Sequence, residues 1–365
     1  MTGRPLRLVI AGGGTGGHVI PALAIAEEVV RRGGSVRFIG TADRIEARLV
    51  PAAGFGIDFI AARPLAGGGA LGTLRGVLSA TGAVARSARL LGRIAPDVVL
   101  GVGGYVAGPV VLAGRIRGLP IAVLEQNATV GLANRLLARI VDRAFVTYEP
   151  TVCDFPDGRA VVTGNPVRST IVEAARGTRA GKAGEHLGLL VMGGSQGART
   201  IDRRVPEALQ LTGLGDRLRV LHQCGLDRIS EVERAYADRG IAAAVVPFID
   251  DIATALAAAD LVIARAGATT VAELTVMGLP AVLLPYPHHA DRQQERNAAP
   301  MREAGAALVL DEKTTDVAQL AEAIGGLLGD PDRLARAAAA ARGLGRPDAA
   351  ERIVDGLQAL ARRSR

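Results

Sequence analysis

Tryptophan is absent, and aromatic residues make up 3% of the 365 positions. Such a chain has little material for the base-stacking platforms of RNA-binding modules, and no zinc-finger spacing or basic heptad pattern stands in for them. Nucleic acid is therefore not expected as a partner, despite a net charge of +7. Lysine occurs only at Lys182 and Lys313, so nearly all the positive charge is arginine. Most of these arginines read as compositional bias; the remainder suit phosphate and carboxylate recognition. The two cysteines, Cys153 and Cys224, form no metal-binding or redox spacing and are expected to be free thiols in a reducing compartment. No uninterrupted apolar run is long enough to span a bilayer. The N-terminus leads almost directly into an apolar run without a signal-peptide pattern. A cytosolic protein that at most touches a membrane surface is the expectation.

What is plentiful is glycine, with 47 residues, and small aliphatic side chains within a 49% hydrophobic total. Short apolar runs alternate with Ala-rich amphipathic stretches, which predicts α/β layers, and the length suits two domains. Leu8–Ala11 runs into Gly12-Gly13-Gly14-Thr15-Gly16-Gly17-His18 and then into helical spacing from Val19, so strand, tight loop and helix are expected. The pattern restarts at Leu189–Met192 with Gly193-Gly194-Ser195-Gln196-Gly197-Ala198. Two glycine-rich strand-to-helix turns one domain length apart predict two similar doubly wound parallel sheets. Further strands are expected at 36–40, 55–60, 98–102, 121–125, 143–147 and 161–162, and in the second half at 220–223, 244–247, 261–264, 281–284 and 307–310. The tail from Val317 reads as helical, with a break near Gly343–Pro347.

Gly12-x-Gly14-x-x-Gly17 matches a dinucleotide fingerprint, but no acidic residue ends the second strand to hold a ribose, and His18 stands where a Walker loop needs its Lys. Five glycines in six positions argue for close approach of a ligand, and His18 can titrate beside it. Gly193-x-Ser195-x-Gly197 formally matches a nucleophile elbow, with His222, His288 and His289 downstream, and equally an anion-cradling helix start. Arg265 with Thr269 and Thr270 at another helix start suits a diphosphate. Glu273 beside them reads either as acceptor for a ribose diol or as a first-turn carboxylate matching the helix dipole. Asp291 reads as a helix cap, with Gln293 and Gln294 in the following turn offering amides to sugar hydroxyls. Asp330-Pro331-Asp332 reads as a turn and cap rather than a metal motif.

Taken in order, Gly13–His18, Gly103-Gly104-Tyr105, Glu125-Gln126-Asn127, Thr163–Arg168, Gly193–Ala198, His222-Gln223, Arg265-Ala266-Gly267 with Glu273, and Asp291–Gln294 resemble the MurG family of peptidoglycan N-acetylglucosaminyltransferases, over nearly the whole chain. The resemblance implies a GT-B fold: two Rossmann-like domains facing across a cleft, at 1–164 and 165–342, with a C-terminal helix at 343–365 packing back on the first. It implies inverting transfer of GlcNAc from UDP-GlcNAc to the C4 hydroxyl of MurNAc in undecaprenyl-pyrophosphoryl-MurNAc-pentapeptide (lipid I), giving lipid II, with no cofactor and no metal. By likeness the donor site comprises Thr15, Gly16, Gly17, Asn127, Arg168, Ser195, Ile249, Ala268, Thr269, Thr270, Val271, Ala272, Glu273 and Gln293. The acceptor site comprises Gly14, His18, Gly104, Tyr105 and Glu125. His18 is the candidate general base; its other reading is a loop-orienting or phosphate-binding group. The implied location is the cytoplasmic face of the bacterial cell membrane. The expected docking surface is Leu71–Arg93, where family members often carry aromatics that this chain lacks, and other cell-wall synthesis proteins are possible partners. The alternatives are a serine hydrolase using Ser195 and a non-catalytic nucleotide-sugar-binding protein.

Overall fold

Among the described residues, thirteen short runs rich in Val, Ile, Leu and Ala form the strands, none longer than six residues. They are apolar at nearly every central position because helices cover both sheet faces, as parallel sheets require. The computed structural model describes residues 4–61, 69–177, 186–194, 197–288 and 291–363, with the side chains of 69–80 outside the description. The chain divides into two units, Met1–Arg168 with Asp348–Arg365, and Ser169–Pro347.

The first unit runs β1 (Arg7–Ala11), α1 (Gly16–Arg31), β2 (Ser35–Gly40), α2 (Glu46–Ala52), β3 (Gly56–Phe59), α3 (Gly69–Ile94), β4 (Val98–Gly101), α4 (Ala107–Ile116), β5 (Ile121–Glu125), α5 (Leu132–Leu137), β6 (Arg143–Val146) and β7 (Ala160–Val162). The sheet order is β3-β2-β1-β4-β5-β6-β7, with every described pairing parallel. Alternate residues of β1 serve opposite cores: Leu8 and Ile10 pack with Val19, Ile25 and Val50, while Val9 and Ala11 pack with Leu91, Val110 and Val111. Helix α2 starts at Glu46, whose side chain is buried.

The second unit runs α6 (Ser169–Gly177), β8 (Leu187–Met192), α7 (Arg199–Thr212), β9 (Leu218–Gln223), α8 (Ile229–Ala237), β10 (Ala243–Val246), α9 (Ile252–Ala258), β11 (Leu261–Ala264), α10 (Ala268–Met277), β12 (Ala281–Leu283), α11 (Gln293–Glu303), β13 (Ala307–Val309), α12 (Val317–Leu328) and α13 (Pro331–Leu344). Its sheet order is β10-β9-β8-β11-β12-β13, again all parallel. The order reverses between β1 and β4 in one unit and between β8 and β11 in the other, the switch points where open α/β sheets bind ligands. Asp330 caps α13 by accepting from Arg333 N at 2.9 Å, as the turn reading expected.

Helix α14 (Ala349–Arg363) belongs to the first unit, where Ile353, Val354, Leu357 and Leu360 join the core containing Leu8 and Phe145. Gly356 is required there: a Cβ would lie 2.5 Å from Phe145 Cε1. Arg32 pairs with Asp355, and Arg352 donates to the Val162 carbonyl at 2.9 Å.

Candidate active site

In the first unit the loops after β1 and β4 meet at the sheet's reversal point, and their glycines divide into two groups. Gly12, Gly13, Gly103 and Gly104 are packed against protein. A Cβ on Gly104, at φ +78°, would lie 2.5 Å from the Gly13 carbonyl oxygen; one on Gly103 would lie 2.6 Å from His18 Cδ2; one on Gly13 would strike the Glu46 carboxylate. Gly14, Gly16 and Gly17 are different. A Cβ on Gly14 would meet nothing within 4 Å, and one on Gly16 or Gly17 would make only ordinary contacts with Ile20 or Thr15. The glycine burst thus serves internal close packing in part. The remaining glycines, with exposed Thr15, leave the start of α1 open to an anion or sugar.

His18 lies half-buried with its ring over Gly103. Its Nδ1 is 3.2 Å from the Gly13 carbonyl oxygen and 3.2 Å from Thr15 Oγ1. A carbonyl only accepts, so Nδ1 carries the proton and Nε2 the lone pair. Burial lowers the pKa of His18 below the ordinary 6.5, outweighing the opposing pulls of the Gly13 carbonyl and the Glu46 charge. The ring is therefore neutral at neutral pH, with the tautomer fixed for proton uptake at Nε2.

Glu46 was not anticipated from the sequence. Only 1% exposed, it accepts from Gly14 N at 2.8 Å through Oε2, and from Thr41 N at 3.0 Å and Thr41 Oγ1 at 2.7 Å through Oε1. It thereby sets the shape of the glycine loop. The available signal was a carboxylate at i with Leu49 and Val50 at i+3 and i+4, on the apolar face of a short helix.

The loop after β5 lies beside that after β4, and Gln126 Nε2 ties the two by donating to the Val102 carbonyl at 2.9 Å. Glu125 is buried and organises its own loop. Oε1 accepts from Asn127 N at 3.1 Å and Asn127 Nδ2 at 3.4 Å, and Oε2 accepts from Gly131 N and Asn134 Nδ2, both at 2.9 Å. Burial pushes its carboxyl up; the same hydrogen bonds pull the other way. Asn127 is half-buried, and Tyr105 is 57% exposed beside Gly104. Arg168 follows β7, the edge strand three positions from β4 in this sheet.

In the second unit the loop from β8 to α7 is held at its flanks. Gly193 N donates to the Gln223 carbonyl, Gln223 Nε2 to the Gly194 carbonyl, and Gly197 is packed against Cys224 and Arg228. Ser195 lies outside the described residues, as does His289. His222 is fully buried. Its Nδ1 is 2.9 Å from the Tyr236 hydroxyl and its Nε2 3.2 Å from Asp202 Oδ1, while Asp202 pairs with Arg228 at 3.0 Å. Both ring nitrogens are engaged inside the core, so His222 is not a base for a surface nucleophile.

The start of α10, after β11, gathers Ala268, Thr269, Thr270, Val271, Ala272 and Glu273. Glu273 is buried in the second turn, not the first, so the helix-dipole reading does not apply to it. Arg265 is committed to protein: it pairs with Glu312, donates to the Leu284 and Pro285 carbonyls at 3.0 and 3.3 Å, and stands 5.7 Å from the Tyr286 ring centroid. Burial raises the Glu312 carboxyl pKa, but the hydrogen bonds from Arg265 and Thr200 outweigh it and hold the group below the ordinary carboxylate range. Gln294 is likewise occupied, its Oε1 accepting from Ala266 N at 3.2 Å and Tyr286 N at 2.8 Å, which leaves half-buried Gln293 as the first-turn amide for a ligand. The expected Asp291 cap shifts: Arg292, at φ +49°, takes the N-cap position of α11, and Asp291 accepts from Gln293 N at 3.3 Å. Ile249 follows β10 at the far edge of this sheet and is half-buried just before α9, which packs on α10.

Two Rossmann-ordered units in tandem, each with small-residue strand-to-helix loops at its switch point, are the build of GT-B glycosyltransferases. Residues 8–146 match the glycosyltransferase family 28 N-terminal domain and residues 188–353 its C-terminal domain. The chain is 43% identical over 353 residues to the UDP-N-acetylglucosamine–N-acetylmuramyl-(pentapeptide) pyrophosphoryl-undecaprenol N-acetylglucosamine transferase of Myxococcus xanthus, covering 96% of this chain and 92% of that one. It is 42% identical to the enzyme of the same description from Geobacter metallireducens, covering 99% and 100%. The crystal structure of Acinetobacter baumannii MurG superposes with a TM-score of 0.79 at 32% identity, covering 97% of this chain and 99% of that one. The chain belongs to the MurG family of N-acetylglucosaminyltransferases, and the hydrolase and non-catalytic alternatives find no support.

Proposed function

We propose that this enzyme transfers GlcNAc from UDP-GlcNAc to the MurNAc C4 hydroxyl of undecaprenyl-pyrophosphoryl-MurNAc-pentapeptide with inversion. The observation that carries the proposal is the first-unit loop: Gly14, Gly16 and Gly17 open beside a histidine whose Nε2 holds its lone pair. In the second unit, Ala268–Thr270 and the start of α7 hold the diphosphate through backbone N–H groups and hydroxyls. Glu273 accepts from the ribose diol, Ile249 offers its backbone to uracil, and Gln293 binds the sugar hydroxyls; Ser195, Asn127 and Arg168 complete the donor contacts. Thr15, Gly16 and Gly17 meet the transferred sugar, while Gly14, Gly104, Tyr105 and Glu125 serve the acceptor, Glu125 by shaping its loop. The C4 hydroxyl gives its proton to His18 Nε2 as its oxygen bonds to the anomeric carbon. The bond from that carbon to the phosphate oxygen breaks, and UDP leaves with the electron pair.

The acceptor is a lipid, so the enzyme docks on the inner face of the membrane. Among the described residues no helix is long and apolar enough to cross it. The expected docking segment, Leu71–Arg93, lies partly outside the described side chains. In its described part Leu91 is buried, while Arg86, Arg89 and Arg93 are exposed. Among the described residues, α4 and α5, which pack together, carry exposed apolar side chains: Leu112 with Ile116 at 67% exposure, and Leu132 at 68% with Leu136 at 64%. Both pairs have i, i+4 spacing, and Arg117, Arg135 and Arg139 are exposed on the same segments, a combination suited to an anionic bilayer. The Leu132→Ser/Leu136→Ser protein is expected to cosediment about tenfold less with phosphatidylglycerol vesicles, from the lost apolar burial. Unchanged cosedimentation would move the docking face elsewhere.

The activity itself is tested by transfer of radiolabelled GlcNAc from UDP-GlcNAc to a short-chain lipid I analogue. Labelled disaccharide product supports the reading. A protein that binds UDP and forms no product overturns it.

A further inference from the structure

Two helix starts in the second unit, those of α7 and α10, are joined through one carboxylate far from both in sequence. Glu312, in the loop between β13 and α12, is 12% exposed. Its Oε1 accepts from the hydroxyl of Thr200, in the first turn of α7, and its Oε2 accepts from Arg265, two residues before the N-cap of α10. Neighbouring contacts reinforce the bridge. Arg204, one turn further along α7, donates to the Glu312 and Thr315 carbonyls, both at 2.8 Å. On the α10 side, Gln294 accepts from Ala266 N, and Asn297 Nδ2 donates to the Ala266 carbonyl at 3.3 Å.

We propose that Glu312 is a positioning residue for donor binding: by clasping Thr200 and Arg265 it holds the starts of α7 and α10 in the one relation that lets both sets of N–H groups address the same diphosphate. The inference rests on the donor reading of this unit given above. It also reassigns Arg265, whose charge is matched by Glu312 and whose NH1 serves two carbonyls, from direct counter-ion to part of the clasp. The anion is then met by backbone N–H groups and hydroxyls, whose usefulness depends on fixed placement rather than on net charge.

The test compares Glu312→Ala, Glu312→Gln and Thr200→Val in the full-length enzyme. UDP affinity is read by calorimetry, and KM is measured separately for UDP-GlcNAc and for the lipid I analogue. Glu312→Gln can keep both contacts, its amide oxygen accepting from Arg265 and its amide N–H donating to Thr200 Oγ1, so it is expected to bind UDP within about twofold of wild type. Glu312→Ala is expected to weaken UDP binding and raise the UDP-GlcNAc KM about tenfold, with the acceptor KM within about twofold. Thr200→Val, which opens one arm, falls between them, and adding it to Glu312→Ala costs nothing further, because the arms act through one group. A purely structural role would lower the thermal midpoint while leaving both KM values of the folded enzyme unchanged, and that result overturns the inference. Should Glu312→Ala not fold, wild-type UDP affinity in Thr200→Val overturns it equally. If the wild type itself fails to bind UDP, the donor reading falls and takes the inference with it. If the wild type binds and Glu312→Ala binds as well, the inference alone falls.

Discussion

Replacing His18 by alanine is expected to lower kcat for GlcNAc transfer by about 10²–10⁴, the range for removal of a positioned general base. Calorimetric affinity for UDP should be nearly unchanged. The ring makes its described contacts with its own loop and Gly103, so the backbone around it has no need to move. His18→Asn sharpens the test: its amide can still donate to the Gly13 carbonyl but cannot take up a proton at neutral pH. If Asn behaves like Ala, the lost group is the base; if Asn restores activity, His18 serves only to orient the loop. The pH profile gives an independent reading. Burial lowers the histidine pKa from 6.5, so the neutral, proton-accepting form persists below that value. The acid limb of wild-type kcat/KM should therefore lie below pH 6.5, activity being lost as pH falls through the lowered pKa and fully present above it. That limb should vanish in His18→Ala. A limb above 6.5 would contradict the site as described.

The second large effect is expected at Glu46. Truncation to alanine leaves the Thr41 N–H, the Thr41 hydroxyl and the Gly14 N–H without their acceptor, at a cost of about 3 kcal/mol. For the first unit this corresponds to a thermal midpoint lower by roughly 6–12 °C. The glycine loop also loses the contact that shapes it, so kcat should fall with stability. Glu46→Gln is intermediate: one amide oxygen still accepts from Thr41, but an amide N–H2 now faces the Gly14 N–H. Differential scanning calorimetry checks this, and an alanine variant that melts with wild type would show that water fully replaces the carboxylate.

The alternation of apolar runs with amphipathic segments was sufficient to anticipate both sheets, since a strand buried on two faces has to be apolar at nearly every position. The loops at the switch points were legible for a similar reason: glycine and small hydroxyl residues between such a strand and a helix have few other uses. What could not be read locally was which polar groups the fold spends on itself. Arg265 suggested a phosphate partner because its neighbours did, yet its carboxylate lies 47 positions onward. Gln294 looked as available as Gln293, although two backbone N–H groups claim its oxygen. Glu46 and Glu312 each act across more than thirty residues and belong to no local motif. Glycines at Gly13 and Gly104 pointed to a ligand, but each makes room for another part of the protein.

The return of α14 to the first unit also sets a timetable for biosynthesis. Ile353, Val354, Leu357 and Leu360 complete a core whose other members precede Arg168, so that core waits while all of Ser169–Pro347 is translated. A nascent chain stopped at Pro347 carries every residue of the second unit but leaves the α1 side of the first sheet without its last cover. Ribosomal pausing in this region therefore exposes Leu8, Ile25 and Phe145 for longer, making the late stretch a point where chaperone capture and aggregation compete with folding.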